Sequence, residues 1–304
     1  MKFFFLTICF FNLTVLQAQD TLMPIIFLDD VIISEENNGF SVKDFIGYVK
    51  KDTSFYMGFK HLRYYPHIYR AELNIFDKRG NNIGIIKKEG MHYSNGKKAW
   101  IVNDSIFYEG NIFKRNGKYR YYTPEAFDEV FFPQDTIHVS LEISDHNNRD
   151  SQNMRDAKTV GFSIGTDDVE QLKGGLSKRL AIFDVHMQKY YDYIIGEKKY
   201  MNRDCYTFSI IEKKDLSKKS QRKILIRKIV SYFDKENFNV IYREYKFVYK
   251  NWFIDLNMDI TVYMDYVNGK HVPVDIYYKG FWNVIFFKPE NVEFILRNRL
   301  FRII

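Results

Sequence analysis

Ile254-Asp-Leu-Asn-Met-Asp-Ile-Thr-Val-Tyr-Met-Asp-Tyr266 is apolar at every even position, and at the odd positions it is polar or charged apart from Tyr263. In an extended chain alternate side chains point to opposite faces. The stretch therefore predicts a strand with Leu256, Met258, Ile260, Val262 and Met264 on a dry face. Asp255, Asn257, Asp259, Thr261 and Asp265 take the wet one.

The neighbours should pair with it. Upstream, a two-residue turn at Asn251-Trp252 sets Tyr249 opposite Ile254, Phe247 opposite Leu256 and Tyr245 opposite Met258. Lys246 then faces Asn257, and Glu244 faces Asp259, which is unfavourable. Downstream, a three-residue loop Val267-Asn268-Gly269 sets Met264 against Val272, Val262 against Val274 and Ile260 against Ile276. Pro273 falls on the polar face in that register and suggests a sheet edge. Further strands are expected over 281–288 and 292–301. From about residue 187 onward the chain reads as an antiparallel meander of seven or eight strands.

Upstream of the meander, residues 167–183 predict a helix with Val169, Leu172, Leu176, Leu180 and Phe183 as its stripe. Residues 41–64 predict two more. Val42, Phe45, Ile46 and Val49 share one face, Phe55, Phe59 and Leu62 another, and Pro66 ends the second. From Tyr69 the period becomes two, with turn signals at Arg79-Gly80, Asn95-Gly96 and Asn116-Gly117, so hairpins follow. Ser144 to Asn153 holds no apolar residue and is the expected linker. The fold class expected is α+β, mainly β: an antiparallel meander sheet, curled or half-barrel, with a few packing helices. Residues 20–150 would form an N-terminal lobe and 151–304 a C-terminal one.

The first residues read as an export leader. Lys2 precedes the uncharged, largely apolar run Phe3 to Leu16, and Ala18 supplies a small residue for cleavage after residue 19. That leaves Cys205 as the only cysteine of the exported chain, so no internal disulfide can form and Cys205 is expected to be a buried, inert thiol. Aromatics make up 18% of the chain, which favours strands. The net charge of +7 would suggest nucleic acid in a cytosolic protein, but an exported one meets anionic lipid or polysaccharide instead. Much of that charge lies in Lys213-Lys214, Lys218-Lys219 and Arg222-Lys223, between two strand patterns, where a solvated hairpin tip is expected.

Motifs for catalysis are weak. Gly161-Phe-Ser163-Ile-Gly165 matches G-x-S-x-G, and Ser163 is the one candidate nucleophile. The hairpins downstream do not build the parallel sheet that such a serine needs. The seven histidines, His61, His67, His92, His138, His146, His186 and His271, lack metal-ligand spacing. Asp145 to Asp150 mimics the start of a calcium loop but carries Asp150 where glycine belongs. No cofactor, metal or nucleic-acid partner is expected. Asp255 and Asp259 lie about 13 Å apart along a strand, beyond the usual glycosidase spacing.

Leu28-Asp-Asp-Val-Ile-Ile-Ser34, with Phe45-Ile46 and Asp52-Thr-Ser-Phe-Tyr56, resembles uncharacterised exported proteins of flavobacteria and their relatives. Tyr232 to Phe238, Tyr242-Arg243 and Pro273 to Tyr277 give the meander a more distant likeness to periplasmic lipoprotein-carrier proteins. That resemblance implies a sheet curled around helices to shelter an acyl chain. The function expected is non-catalytic binding of a lipid-like or amphipathic ligand, or of an outer-membrane partner protein, in the periplasm or at the outer membrane. Tyr245, Phe247, Tyr249, Leu256, Met258 and Ile260 are the candidate ligand-binding residues. The alternatives are a transmembrane β-barrel and a secreted serine hydrolase.

Overall fold

Residues with left-handed backbone divide the chain into hairpins. The computed structural model describes residues 42–139, 141, 179–250, 254–285 and 287–304. The expected leader, the expected linker, the calcium-like stretch and Ser163 lie outside them.

Two helices come first, α1 (Val42–Lys51) and α2 (Ser54–Tyr64). The Asp52 carboxylate accepts the Ser54 N–H at 2.9 Å and separates them. Phe45 is fully buried against Phe208 and Phe233, while Phe55 and Leu62 are buried on α2. Strands β1 (His67–Phe76), β2 (Asn82–Ser94) and β3 (Lys98–Gly110) follow. Gly80, Gly96 and Gly117 all have positive φ, at the three turns expected. The third turn joins no full strands, only a single bridge between Phe113 and Tyr119.

A helix that the periodicity did not suggest, α3 (Tyr122–Phe131), then crosses to β4 (Ile137–His138). The helix expected over 167–183 is described only at its end. There it stops at Leu180, and Ile182 and Phe183 turn into the core instead of completing a helical stripe. The turn is fixed by the Tyr193 hydroxyl, which donates to the Ile182 carbonyl at 2.5 Å.

After α4 (Val185–Gln188) the meander runs through β5 (Tyr191–Tyr200), β6 (Arg203–Glu212), α5 (Lys218–Gln221), β7 (Ile226–Asp234), β8 (Val240–Lys250), β9 (Ile254–Val267), β10 (Lys270–Val284) and β11 (Glu290–Arg299). The sheet order is β4-β3-β2-β1-β11-β10-β9-β8-β7-β6-β5, with every neighbouring pair antiparallel. The fold is thus α+β and mainly β, a meander with a few packing helices. The last strand returns beside the first, so segments from 20–150 and 151–304 share one sheet. Among the described residues β4 and β5 do not meet, and a closed barrel is not what these strands build.

Three local expectations are corrected. The β8–β9 pairing sits two residues from the expected register, with Tyr249 opposite Leu256, Phe247 opposite Met258 and Tyr245 opposite Ile260. A two-residue slip keeps each side chain on its face, so apolar patterning does not distinguish the two registers. Charge does. Lys246 now faces Asp259 at 3.2 Å and Lys250 pairs with Asp255, while Glu244 faces Thr261.

At β9–β10 the loop is the two-residue Asn268-Gly269, with φ of 48° and 72°, and Val267 pairs with Lys270. A shift between Pro273 and Asp275 then restores the faces, placing Val262 against Ile276 and Ile260 against Tyr278. Pro273 therefore lies buried in a central strand, at a bulge where a missing N–H is tolerated. Finally, 281–284 belong to β10 rather than to a separate strand.

Candidate ligand-binding face

One side of the sheet carries the apolar core from β2 to β5. In its middle, Tyr245, Phe247 and Tyr249 on β8 stand directly opposite Ile260, Met258 and Leu256 on β9. Tyr245, Phe247, Leu256 and Met258 are buried, and Tyr249 and Ile260 are half-buried. All six candidate residues are thus brought together.

The patch continues onto β10, where Tyr278, Gly280 and Trp282 lie beside Ile260, Met258 and Leu256. Gly280 lacks a Cβ because the Tyr278 side chain lies over it; a Cβ there would collide with the phenol oxygen. Trp282 Nε1–H donates to that oxygen, so the ring is held flat along the strand. Expecting a separate strand over 281–288 split Trp282 from Ile276, Tyr278 and Gly280, although the four repeat at every second position. Helix α3 closes this flank, with Phe127 against Tyr278 and Phe294, and Tyr122 against Trp282. Its sequence signals were Pro124 in the first turn and the four-residue spacing of Phe127 and Phe131.

Polar groups border the patch. Glu290 is 1% exposed, and its Oε1 accepts the Thr123 N–H at 2.8 Å and the Thr123 hydroxyl at 3.0 Å, at the start of α3. Its other oxygen has no partner among the described residues. Burial pushes the carboxyl up to about 7. On the other side Arg243 is buried beneath α2. Its Nε–H donates to the Ser231 hydroxyl at 2.9 Å, and its guanidinium lies 4.4 Å from the centre of the Phe55 ring. Burial lowers its pKa.

The sheet end nearest Tyr249 carries the basic segment. Lys214, Lys218, Lys219, Arg222 and Lys223 are exposed between β6 and β7, and Ile224, Leu225 and Ile226 dive into the core directly after them. Arg179 ties this connection down, donating to the Arg222 and Lys223 carbonyls at 2.8 and 2.9 Å. Its guanidinium lies 5.7 Å from the Tyr249 ring centre.

The remaining candidates are structural. Asp255 and Asp259 are held by Lys250 and Lys246. Cys205 is fully buried on the opposite face with Val230, Tyr232 and Ile241, and burial pushes its thiol up to about 11. His61, His67, His92 and His271 are buried at the sheet end next to α2. His67 stacks on His92 at 4.6 Å and donates from Nδ1 to the Tyr65 carbonyl at 2.8 Å. Among the described residues no group of His, Cys, Asp or Glu has metal-site geometry, and no helix is long and apolar enough to cross a membrane.

No family model and no curated protein matches the chain. Among solved structures it is similar to a DUF1329 family protein from Desulfovibrio piger, at 12% identity over 86% of this chain and 90% of that one, with a TM-score of 0.25. A putative outer membrane lipoprotein-sorting protein domain from Vibrio parahaemolyticus is similar at 9% identity over 80% and 88%, with a TM-score of 0.26. A structure of lipovitellin described for its lipid–protein interactions matches at 8% identity over 78% of this chain and 25% of its own, with a TM-score of 0.25. The lipoprotein-carrier likeness thus reappears among these structures. At such scores it carries no argument, and the fold rests on the strand pairing.

Proposed function

We propose that this chain is an exported envelope protein that binds an anionic, lipid-like amphiphile on the apolar face of its sheet. The observation that carries the reading is the juxtaposition just described. A contiguous patch from Tyr245–Tyr249 through Leu256–Ile260 to Trp282 ends beside an exposed run of lysines and arginines. An acyl chain would lie along β8–β10, and its charged head would meet Lys214, Lys218, Lys219, Arg222 or Lys223.

The area of the sheet supports this. Eleven strands at about 4.8 Å spacing span roughly 50 Å, whereas helices of ten or eleven residues are each about 15 Å long. Among the described residues, the three helices of that length are each much shorter than the sheet is wide. The leader at residues 1–19 gives the compartment in which anionic lipid is met.

Protein purified from its host and extracted with organic solvent is expected to release lipid detectable by mass spectrometry. The emptied protein should bind a fluorescent fatty acid. Ile260→Trp, which enlarges a half-buried side chain of the patch beside Tyr278, should weaken that binding without unfolding the chain. A clean extract together with no probe binding would contradict the proposal.

A further inference from the structure

Strand β3 is unlike every other long strand in the sheet. From Val102 to Gly110 both of its faces are exposed, including the large side chains Val102, Ile106, Phe107 and Tyr108, and Trp100 beside them is exposed as well. Its outer edge is covered by β4 only at Lys98 and Ala99. From Trp100 to Glu109 the backbone makes no hydrogen bond beyond the β2 ladder among the described residues. An apolar edge with free N–H and C=O groups is a template for another strand.

The strand's own pattern identifies the occupant. Opposite β2, Ser105 pairs with Glu89 and Asn103 with Gly90, so Asp104 is an extra, bulged residue. The bulge shifts the alternation by one. Ile101 and Ile106 oppose His92 and Lys88 on the core face, while Trp100 and Phe107 oppose Tyr93 and Lys87 on the outer face. A two-fold axis perpendicular to the sheet keeps each face on its own side, so only residues of one face can meet across it. Without the bulge Ile101 could not meet Ile106 of a second copy. With it, Ile101 meets Ile106, Trp100 meets Phe107 and Val102 meets Ser105. Asn103 faces Asp104, which keeps the two Asp104 carboxylates from opposing each other.

We infer that Trp100–Phe107 is a self-pairing edge, at which two copies join antiparallel through β3 into one continuous sheet. The ladder ends where β4 begins. It is short beside a standard interface of roughly 1,600 Å², so the dimer is expected to be concentration-dependent.

Chains with one accessible cysteine, Ile101→Cys and Ile106→Cys, each in a Cys9→Ser background with Cys205 left buried, test both the dimer and its register. Oxidising a mixture of the two should give abundant disulfide-linked dimer, and oxidising either alone should give little. Sedimentation of the full chain should show a dimer that Phe107→Lys weakens at least tenfold. A monomer over the whole soluble range would overturn the proposal. So would a dimer that is indifferent to Phe107→Lys and yields no mixed cross-link. Edge amides protected from exchange only after an envelope extract is added would also overturn it, and would assign the edge to a strand of another protein.

Discussion

β9 and β3 have nearly the same length and both lie in one sheet, yet they have opposite relations to water. β9 has strands on both sides and one buried face, and its even positions from 254 to 266 are apolar without a break. β3 has one complete neighbour and almost no buried face, and Ile101-Val102 and Ile106-Phe107-Tyr108 break the alternation. The comparison shows what a two-residue rhythm reports. It records burial of one face, not strand formation itself, and a strand held only by its ladder is free to lose it.

The comparison can be broken most sharply by a buried charge. Met258→Asp on β9 places an uncompensated carboxylate in the core and should cost more than about 4 kcal/mol, enough to prevent folding. Val102→Asp on β3 should change stability by no more than about 0.5 kcal/mol. Denaturant titration of the two variants tests this directly, and equal losses would erase the distinction.

The next effect is set by pH. His67, His92 and His271 are pushed down to about 3, 4 and 4, chiefly by burial. Their folded values lie below the unfolded one, so the stability they contribute is present above about 6.5 and is lost as pH falls through 4. Glu290 works in the opposite direction. Its folded value is raised, so its contribution is complete below the ordinary glutamate range and is lost as pH rises through about 7. Glu290→Gln keeps an oxygen for Thr123 and removes this titration. Across pH 5 to 8 its stability should therefore rise more steeply than that of the natural chain, by about 2–3 kcal/mol in all. Parallel slopes in thermal melts would contradict the burial of Glu290.

Smaller effects sharpen the local picture. Gly280→Ala should displace the Tyr278 ring and cost about 1–3 kcal/mol, while Tyr278→Ala in the same chain should relieve part of the clash. Lys246→Glu should cost roughly 0.5 kcal/mol, and Asp259→Lys should restore it, because the pair is largely solvent-exposed. Failure of that rescue would favour the alternative register, in which Lys246 meets Asn257.

Much of the fold was legible in the sequence because local chemistry determines it. The glycines at 80, 96 and 117 need positive φ, and the dry face of β9 needs a residue pair of unlike polarity at each step. Legibility ended where the deciding contact is distant or degenerate. Nothing local tells Ala71 that its partner is Leu296. The two-residue slip of β8 preserves both faces, and only Lys246 and Lys250 choose between registers. Pro273 read as an edge because the bulge that shelters it forms only when β9 and β10 meet. For the candidate site, the six residues on β8 and β9 could be named from alternation, but Glu290, Arg243 and Arg179 could not. Their roles come from Thr123, Phe55 and Tyr249, each far away in the chain.

Cysteine scanning is the most direct probe of the sheet on which the binding face depends. Single cysteines placed at each position from 255 to 266 and from 100 to 109 would be reacted with a maleimide in the folded chain, where the buried Cys205 gives little background. The expected result is fast labelling at 255, 257, 259 and 265, slow labelling at 256, 258, 262 and 264, and fast labelling throughout 102 to 109. Uniform reactivity along 255–266, or fast labelling at 256 and 258 with protection at 255 and 257, would contradict it.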